Sequence, residues 1–182
     1  LNQMGISGKS NSGDFLAGLV NADNTALVGY SMGGYGVLNA AGAGYSKKLE
    51  DFFATLTGGS KAIDALVAGD PHFISSIDQR IKAVVAFAPW GMQRGVWDEE
   101  GLKGLKVPTF FVAGSKDDVS GYEDGTKAIF ESSVNANRYL LTYENARHNV
   151  APTPQPAELF NPGSFAVYYH YAEPAWARRW LT

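Results

Sequence analysis

The chain has 182 residues, of which 45% are hydrophobic and 18% charged, and its formal net charge at pH 7 is −3. This length and composition allow one hydrophobic core, and the absence of a basic patch argues against nucleic-acid binding. No apolar stretch approaches the roughly 20 residues that span a bilayer, so we expect no membrane span. The chain has no cysteine, which excludes disulfides and a thiolate nucleophile but leaves a cytoplasmic, periplasmic or secreted location open.

Residues 1–13 are rich in turn-forming residues, and residues 13–19 predict a short helix. Gly8-Lys9-Ser10 is similar to the end of a phosphate-binding loop. That pattern would require a preceding strand and a glycine in place of Gln3, so we do not predict a phosphate site here.

A nucleophile elbow is predicted where the first apolar run ends. Residues 25–28 have the composition of a buried strand, and they are followed by Gly29-Tyr30-Ser31-Met32-Gly33-Gly34 and then by a helix-like segment. In such an elbow the serine occupies a strained turn, and the residues two before and two after it must be nearly free of side chain. Gly29 and Gly33 meet that requirement, which makes Ser31 the candidate nucleophile.

The segment from residue 45 to residue 77 is predicted to be a helical insertion, with a helix at about residues 61–68. Strands of compact sheets are usually joined by a few residues, so a segment this long is either a lid over a binding site or a packed decoration. We favour decoration. After it, residues 80–87 predict a buried parallel strand that ends at Ala88-Pro89-Trp90.

Two further strands deliver the partners that a nucleophilic serine needs. Residues 107–112 predict a buried strand, and the turn that follows it carries Asp117 and Asp118. Residues 138–143 predict another strand, joined to the first by a helix at 122–133 and followed by His148. Because polar groups after parallel strands gather at one edge of the sheet, the serine, an aspartate and the histidine are expected to meet there.

Together these motifs resemble the α/β-hydrolase superfamily and, within it, the dienelactone-hydrolase-like serine esterases. The resemblance covers nearly the whole chain and rests on the elbow, the Ala-Pro-Trp strand end, the acid turn and the histidine loop. The Pro-Trp and His-x-x-Ala-Pro patterns are also similar to those of cutinase-type polyester hydrolases, and platelet-activating-factor acetylhydrolase-like enzymes are further relatives. Dienelactone hydrolase itself uses a cysteine, whereas this chain offers Ser31.

The resemblance implies one α/β-hydrolase domain over residues 1–182 and a carboxylic ester hydrolase that works through an acyl-enzyme. Its triad would be Ser31, Asp117 and His148, with Asp117 preferred to Asp118 because superfamily members carry Gly-x-x-Asp turns. The Met32 N–H would serve the oxyanion hole.

Trp90 follows a strand end and Tyr30 lies beside the nucleophile, so both are predicted to bind substrate. The resemblance implies that this substrate is a small-molecule or polymeric ester. No cofactor is implied, and the three scattered histidines do not form a metal site. The oligomeric state stays open. Two alternatives also remain: an amidase or peptidase of the same fold, and a non-catalytic binding module.

Relatives place several strands before the elbow, whereas the elbow strand of this chain begins near residue 25. We therefore expect the chain to be the C-terminal part of the fold, without the first strands and the last helix. The second oxyanion donor comes from a loop after an earlier strand, and losing one donor typically costs about 10²–10³ in turnover. The chain by itself is then expected to be weakly active, with a bare strand edge that promotes aggregation.

Overall fold

The structure is a computed structural model that describes residues 21–150. Four parallel strands form its sheet in the order β1-β2-β3-β4: β1 (Thr25–Tyr30), β2 (Ile81–Phe87), β3 (Thr109–Gly114) and β4 (Arg138–Tyr143). The predicted α/β fold with a mainly parallel sheet is confirmed. The predicted lead-in, the short helix at 13–19 and the Gly8-Lys9-Ser10 segment lie outside the described residues.

Parallel neighbours require crossover connections, and helices supply them. The helices are α1 (Met32–Ala40), α2 (Lys47–Leu56), α3 (Pro71–Ser76), α4 (Glu99–Leu102) and α5 (Lys127–Ser132). Single 3₁₀ turns lie at Asp64–Leu66 and Met92–Arg94, and a π-helical turn at Tyr122–Thr126 leads into α5. The helix predicted between the acid strand and the histidine strand is therefore present. No helix in the described part of the chain is long and apolar enough to cross a membrane.

The core lies on the face of the sheet that α1 and α5 cover. In the sheet register Leu27 is paired with Val84, and Phe111 is paired with Leu140. Successive side chains of a strand point to opposite faces, so these aligned positions form one apolar layer. The largest side chains that are completely buried against this layer include Leu38, Leu102, Leu105 and Ile129.

The opposite face of the sheet is more open. Val28, Val85, Phe110 and Tyr139 are aligned across the four strands. Val28 is 66% exposed and Tyr139 is 58% exposed. Since these positions alternate with the core layer, the described part of the sheet is buried mainly on one side, although the strand sequences are near-continuous apolar runs and not alternating ones.

The helix predicted at residues 61–68 is wrong, because the structure has only the 3₁₀ turn Asp64–Leu66 there. The two helices of the 45–77 segment lie on either side of that turn. Ser46 caps α2 by accepting a hydrogen bond from the Leu49 amide, and Asp70 caps α3 in front of Pro71. A capping side chain and a proline at the first helical position are ordinary signals for the start of a helix. In this segment they predict the helix positions better than the apolar residues at 61–68 do. Whether the segment is a lid or a decoration stays a prediction.

Candidate active site

Ser31 is held between two strand ends at the carboxyl edge of the sheet. It follows β1 directly and precedes α1, with φ 55° and ψ −114°. Its N–H donates to the carbonyl of Phe87 at 2.9 Å, and its own carbonyl accepts from the N–H of Trp90 at 3.2 Å. This backbone conformation is rare for any residue other than glycine, so Ser31 is strained. Its two hydrogen bonds, to Phe87 at the end of β2 and to Trp90 just beyond it, hold it in that conformation.

Of the two glycines predicted to need a bare position in the elbow, one packs as the sequence suggested and one does not. A Cβ on Gly29 would lie 2.2 Å from the carbonyl oxygen of Gly33, and one on Gly34 would lie 2.9 Å from the Cα of Pro89. A Cβ on Gly33 would meet no described atom within 4 Å. The prediction for Gly29 agrees with this packing and that for Gly33 is wrong: the second position that must lack a side chain is Gly34, because it packs on the end of β2.

The structure brings Ser31, His148 and Asp117 into one line of hydrogen bonds. The Nε2 of His148 lies 3.0 Å from the Oγ of Ser31, and its Nδ1 lies 3.0 Å from each carboxylate oxygen of Asp117. His148 is 3% exposed and Asp117 is 7% exposed. In the tautomer that donates Nδ1–H to the carboxylate, Nε2 is free to accept the serine proton. Three residues from three separate strand ends therefore meet at one edge.

The two aspartates of the acid turn have different partners. The Oδ1 of Asp117 also accepts from the amides of Val119 at 2.9 Å and Ser120 at 2.8 Å, which fixes the carboxylate toward the imidazole. Asp118 faces solvent and lies 3.5 Å from the guanidinium of Arg147. Only Asp117 of this pair contacts His148, as preferred from the sequence, and its catalytic role stays a prediction.

Met32 is the first residue of α1, and its side chain is 57% exposed. The first N–H groups of a helix have no partner inside the helix, and they carry the positive end of its dipole. Since Met32 directly follows Ser31, its N–H is the candidate donor to a developing oxyanion, and this role stays a prediction.

Trp90 and Tyr30 each contact a residue of the candidate triad, Trp90 through its backbone amide to Ser31 and Tyr30 through its ring and hydroxyl at His148. The indole of Trp90 is half-buried and meets the ring of Tyr35 edge-on at 6.4 Å. Tyr35 in turn stacks on Tyr45 and their hydroxyls are hydrogen-bonded, and burial together with this bond raises the pKa of Tyr45. Tyr30 lies against His148 instead, with ring centroids 5.3 Å apart. Both residues border the site, and their predicted contact with substrate stays a prediction.

Two residues of the site were not predicted from the sequence. The Ser120 hydroxyl donates to the carbonyl of Ala88, the residue that follows β2. The Asn149 side chain accepts a hydrogen bond from the Tyr30 hydroxyl. Ser120 follows Asp117 by three residues, the spacing of a turn in which an aspartate accepts from nearby amides, so this signal was present. Asn149 carried no signal beyond its position next to His148.

No protein-family model matches the chain, and no curated protein is similar to it in sequence. Solved structures are similar to it in fold. A protein from Klebsiella pneumoniae assigned provisionally as a dienelactone hydrolase has a TM-score of 0.41 at 16% identity, over 86% of this chain and 48% of its own. An esterase domain from Rhodothermus marinus has a TM-score of 0.40 at 14% identity, over 70% and 52%. A predicted CIB-like hydrolase from Thermoplasma acidophilum has a TM-score of 0.36 at 19% identity, over 71% and 44%.

These three are named as hydrolases or as an esterase. The chain spans about half the length of each, between 44% and 52%. At these identities and TM-scores the likeness carries no argument about activity. The function of this chain therefore has to be argued from the geometry of its own site.

Proposed function

We propose that this protein is a serine hydrolase that cleaves carboxylic esters through an acyl-enzyme. One observation carries the proposal: His148 is hydrogen-bonded to the Ser31 hydroxyl by one ring nitrogen and to the Asp117 carboxylate by the other. A nucleophile, a base and a residue that orients the base are the parts that acyl transfer needs, and they follow one another in the chain order expected for this fold. The strained backbone of Ser31 supports the same function.

In the acylation step the Oγ of Ser31 attacks the ester carbonyl carbon while Nε2 of His148 takes the hydroxyl proton. The negative charge moves to the carbonyl oxygen, where the Met32 N–H stabilises it. The tetrahedral intermediate collapses, the bond to the alkoxy oxygen breaks, and His148 returns the proton to the leaving alcohol. The product of this step is an ester between the acyl group and Ser31.

Asp117 acts on the base rather than on the substrate. Its carboxylate accepts Nδ1–H, which selects the tautomer in which Nε2 is an acceptor and stabilises the imidazolium that forms during the attack. The amides of Val119 and Ser120 hold the carboxylate in place at 2.9 and 2.8 Å. In deacylation the same groups activate a water molecule, which releases the carboxylic acid and regenerates Ser31.

Esters are the proposed substrates because an alcohol leaves more easily than an amine, so this chemistry needs less assistance. The acyl and alcohol groups are not part of the proposal. An amidase of the same fold would use the same steps, and a binding module would use none of them. The experiment below separates these outcomes.

The test is labelling of the full-length protein that contains residues 1–182 with a fluorophosphonate probe, together with turnover of p-nitrophenyl acetate and of the matching anilide. We expect labelling and ester turnover that both vanish in Ser31→Ala and persist in Ser75→Ala, a control serine on the exposed surface of α3. Anilide cleavage at a rate similar to that of the ester would favour an amidase. A folded full-length protein that neither labels nor turns over either substrate would overturn the proposal in favour of a binding module.

A further inference from the structure

The loop that carries His148 has no regular secondary structure, although it must hold the imidazole to within a fraction of an ångström. Residues 144–150 follow β4 as turns and bends. One end of this loop is tied by the amide of Lys116, which donates to the carbonyl of Ala146 at 2.9 Å. This bond precedes the histidine. After the histidine, the amide of Val150 donates to the carbonyl of His148 at 2.9 Å, but this bond lies within the loop, so a restraint to the rest of the protein is needed on that side.

Tyr30 supplies a contact on that side. Its hydroxyl donates to the Oδ1 of Asn149 at 2.7 Å and lies 3.4 Å from the backbone carbonyl of His148. Its ring lies beside the imidazole at 5.3 Å with a tilt of 35°. Tyr30 is the last residue of β1 and is bonded directly to Ser31, so the contact joins the loop of the base to the strand of the nucleophile.

Asn149 is buried, and its side chain makes this one hydrogen bond within residues 21–150. The residue is only 4% exposed, and within residues 21–150 its Nδ2 has no hydrogen-bond partner. Burying an amide group with an unpaired donor costs free energy, about 1–3 kcal/mol by mutational data. A buried amide that keeps one strong bond, to the residue next to the nucleophile, is the arrangement expected of a group retained for its geometry.

We infer that Tyr30 is a positioning residue, whose hydroxyl fixes His148 against Ser31 by holding Asn149. The inference rests on the proposed function and adds a role for the hydroxyl to the substrate contact predicted for Tyr30. Small displacements of a catalytic group are costly, since an error of about 1 Å can lower a rate about 10²-fold. The loop that carries His148 and the elbow that carries Ser31 are then held together as one unit.

Kinetics of three variants of the full chain test this role. Tyr30→Phe keeps the ring and removes the hydroxyl, and Asn149→Ala removes the acceptor. We expect each to lower kcat for p-nitrophenyl acetate about tenfold with KM unchanged, since one hydrogen bond is worth about that factor. The double variant should be no slower than either single one, because both remove the same bond. Tyr139→Phe, at an exposed tyrosine of β4, is the matched control and should be unaffected.

A second readout does not depend on turnover. The Nδ1–H of His148 is buried in its hydrogen bond to Asp117 and so is protected from exchange with water. Its proton resonance can be followed by NMR in the folded chain. We expect faster exchange with water in Tyr30→Phe and in Asn149→Ala but not in Tyr139→Phe, with the melting temperature recorded for each. If the wild type proves inactive and this exchange pattern still holds, the positioning role stands and the proposed function fails.

Three results would overturn the inference. A raised KM at constant kcat in Tyr30→Phe would make the hydroxyl a substrate contact. Additive losses in the double variant would mean that Tyr30 and Asn149 act separately. An unchanged Nδ1–H exchange rate in a folded Tyr30→Phe variant would mean that the hydroxyl does not restrain the imidazole.

Discussion

Ser120 donates its hydroxyl to the carbonyl of Ala88 across 2.9 Å, and this bond joins the acid turn to the strand end beside the nucleophile. The amide of the same Ser120 donates to Asp117. Ala88 has a φ of 43°, and two residues later the amide of Trp90 donates to the carbonyl of Ser31. The candidate acid and the candidate nucleophile are therefore linked through one buried serine, independently of His148.

Ser120→Ala is expected to lower the free energy of unfolding by about 1–3 kcal/mol, because the buried Ala88 carbonyl loses its side-chain donor. Urea denaturation measures the change. Ser75→Ala, on the exposed surface of α3, serves as the control and should stay within about 0.5 kcal/mol of wild type. Equal effects for the two variants would mean that the Ser120 bond contributes nothing to stability.

Gly29→Ala and Gly33→Ala form a matched pair within the elbow. The Cβ of the first would lie 2.2 Å from a backbone carbonyl oxygen, so we expect a loss of about 1–3 kcal/mol or more. The Cβ of the second meets no described atom within 4 Å, and alanine is a better helix former than glycine, so stability should rise by up to about 1 kcal/mol. Thermal melts of both variants check this order, and a reversed order would contradict the packing of the elbow.

Ser31→Gly is expected to be more stable than Ser31→Ala by about 1 kcal/mol. Glycine tolerates a φ of 55° with a ψ of −114°, and the strain released is about 1–3 kcal/mol before the larger entropy of the unfolded glycine chain is subtracted. Both variants lose the hydroxyl bond to His148, and only alanine keeps the strain. Chemical denaturation of the two inactive variants compares them directly, and equal stability would mean that the serine backbone stores no strain.

Asp117→Asn is expected to lower ester turnover about 10⁴-fold, since the amide would favour the wrong tautomer of His148. Asp118→Asn should leave turnover nearly unchanged, because within residues 21–150 the contact of Asp118 is an exposed ion pair with Arg147 at 3.5 Å, away from His148. Initial rates with p-nitrophenyl acetate and the rate of fluorophosphonate labelling measure both variants. A large loss in Asp118→Asn with normal turnover in Asp117→Asn would reverse the assignment of the acid.

The open face of the sheet is expected to make the chain self-associate. Val28 and Tyr139, which are 66% and 58% exposed, lie in one cross-strand row, and exposed apolar rows favour association. Val28→Lys should reduce the apparent mass in light scattering coupled to size-exclusion chromatography. Thr55→Lys, which adds the same charge on α2, is the control and should not. A wild-type chain that elutes as a monodisperse monomer would contradict this expectation.

The sequence by itself determined the four strands, their α/β connections and the three residue types of the candidate site. These features depend on local signals: apolar runs that end in turns, glycines at an elbow, and polar residues just after strands. The order of Ser31, Asp117 and His148 along the chain then sufficed to place them at the same edge, because parallel strands share their carboxyl edge. The helices of the 45–77 segment could also have been located from their caps at Ser46 and Asp70.

Only the tertiary structure decided which glycine must be bare, which aspartate reaches the imidazole and what Tyr30 touches. Gly34 is restricted by Pro89, and the hydroxyl of Tyr30 meets Asn149, a residue 119 positions away. Local preference carries no information about such contacts, since they depend on how two distant strand ends are packed. The sequence thus predicted the residue types of the candidate site, whereas the contacts that hold these residues in position depend on how the strand ends pack together.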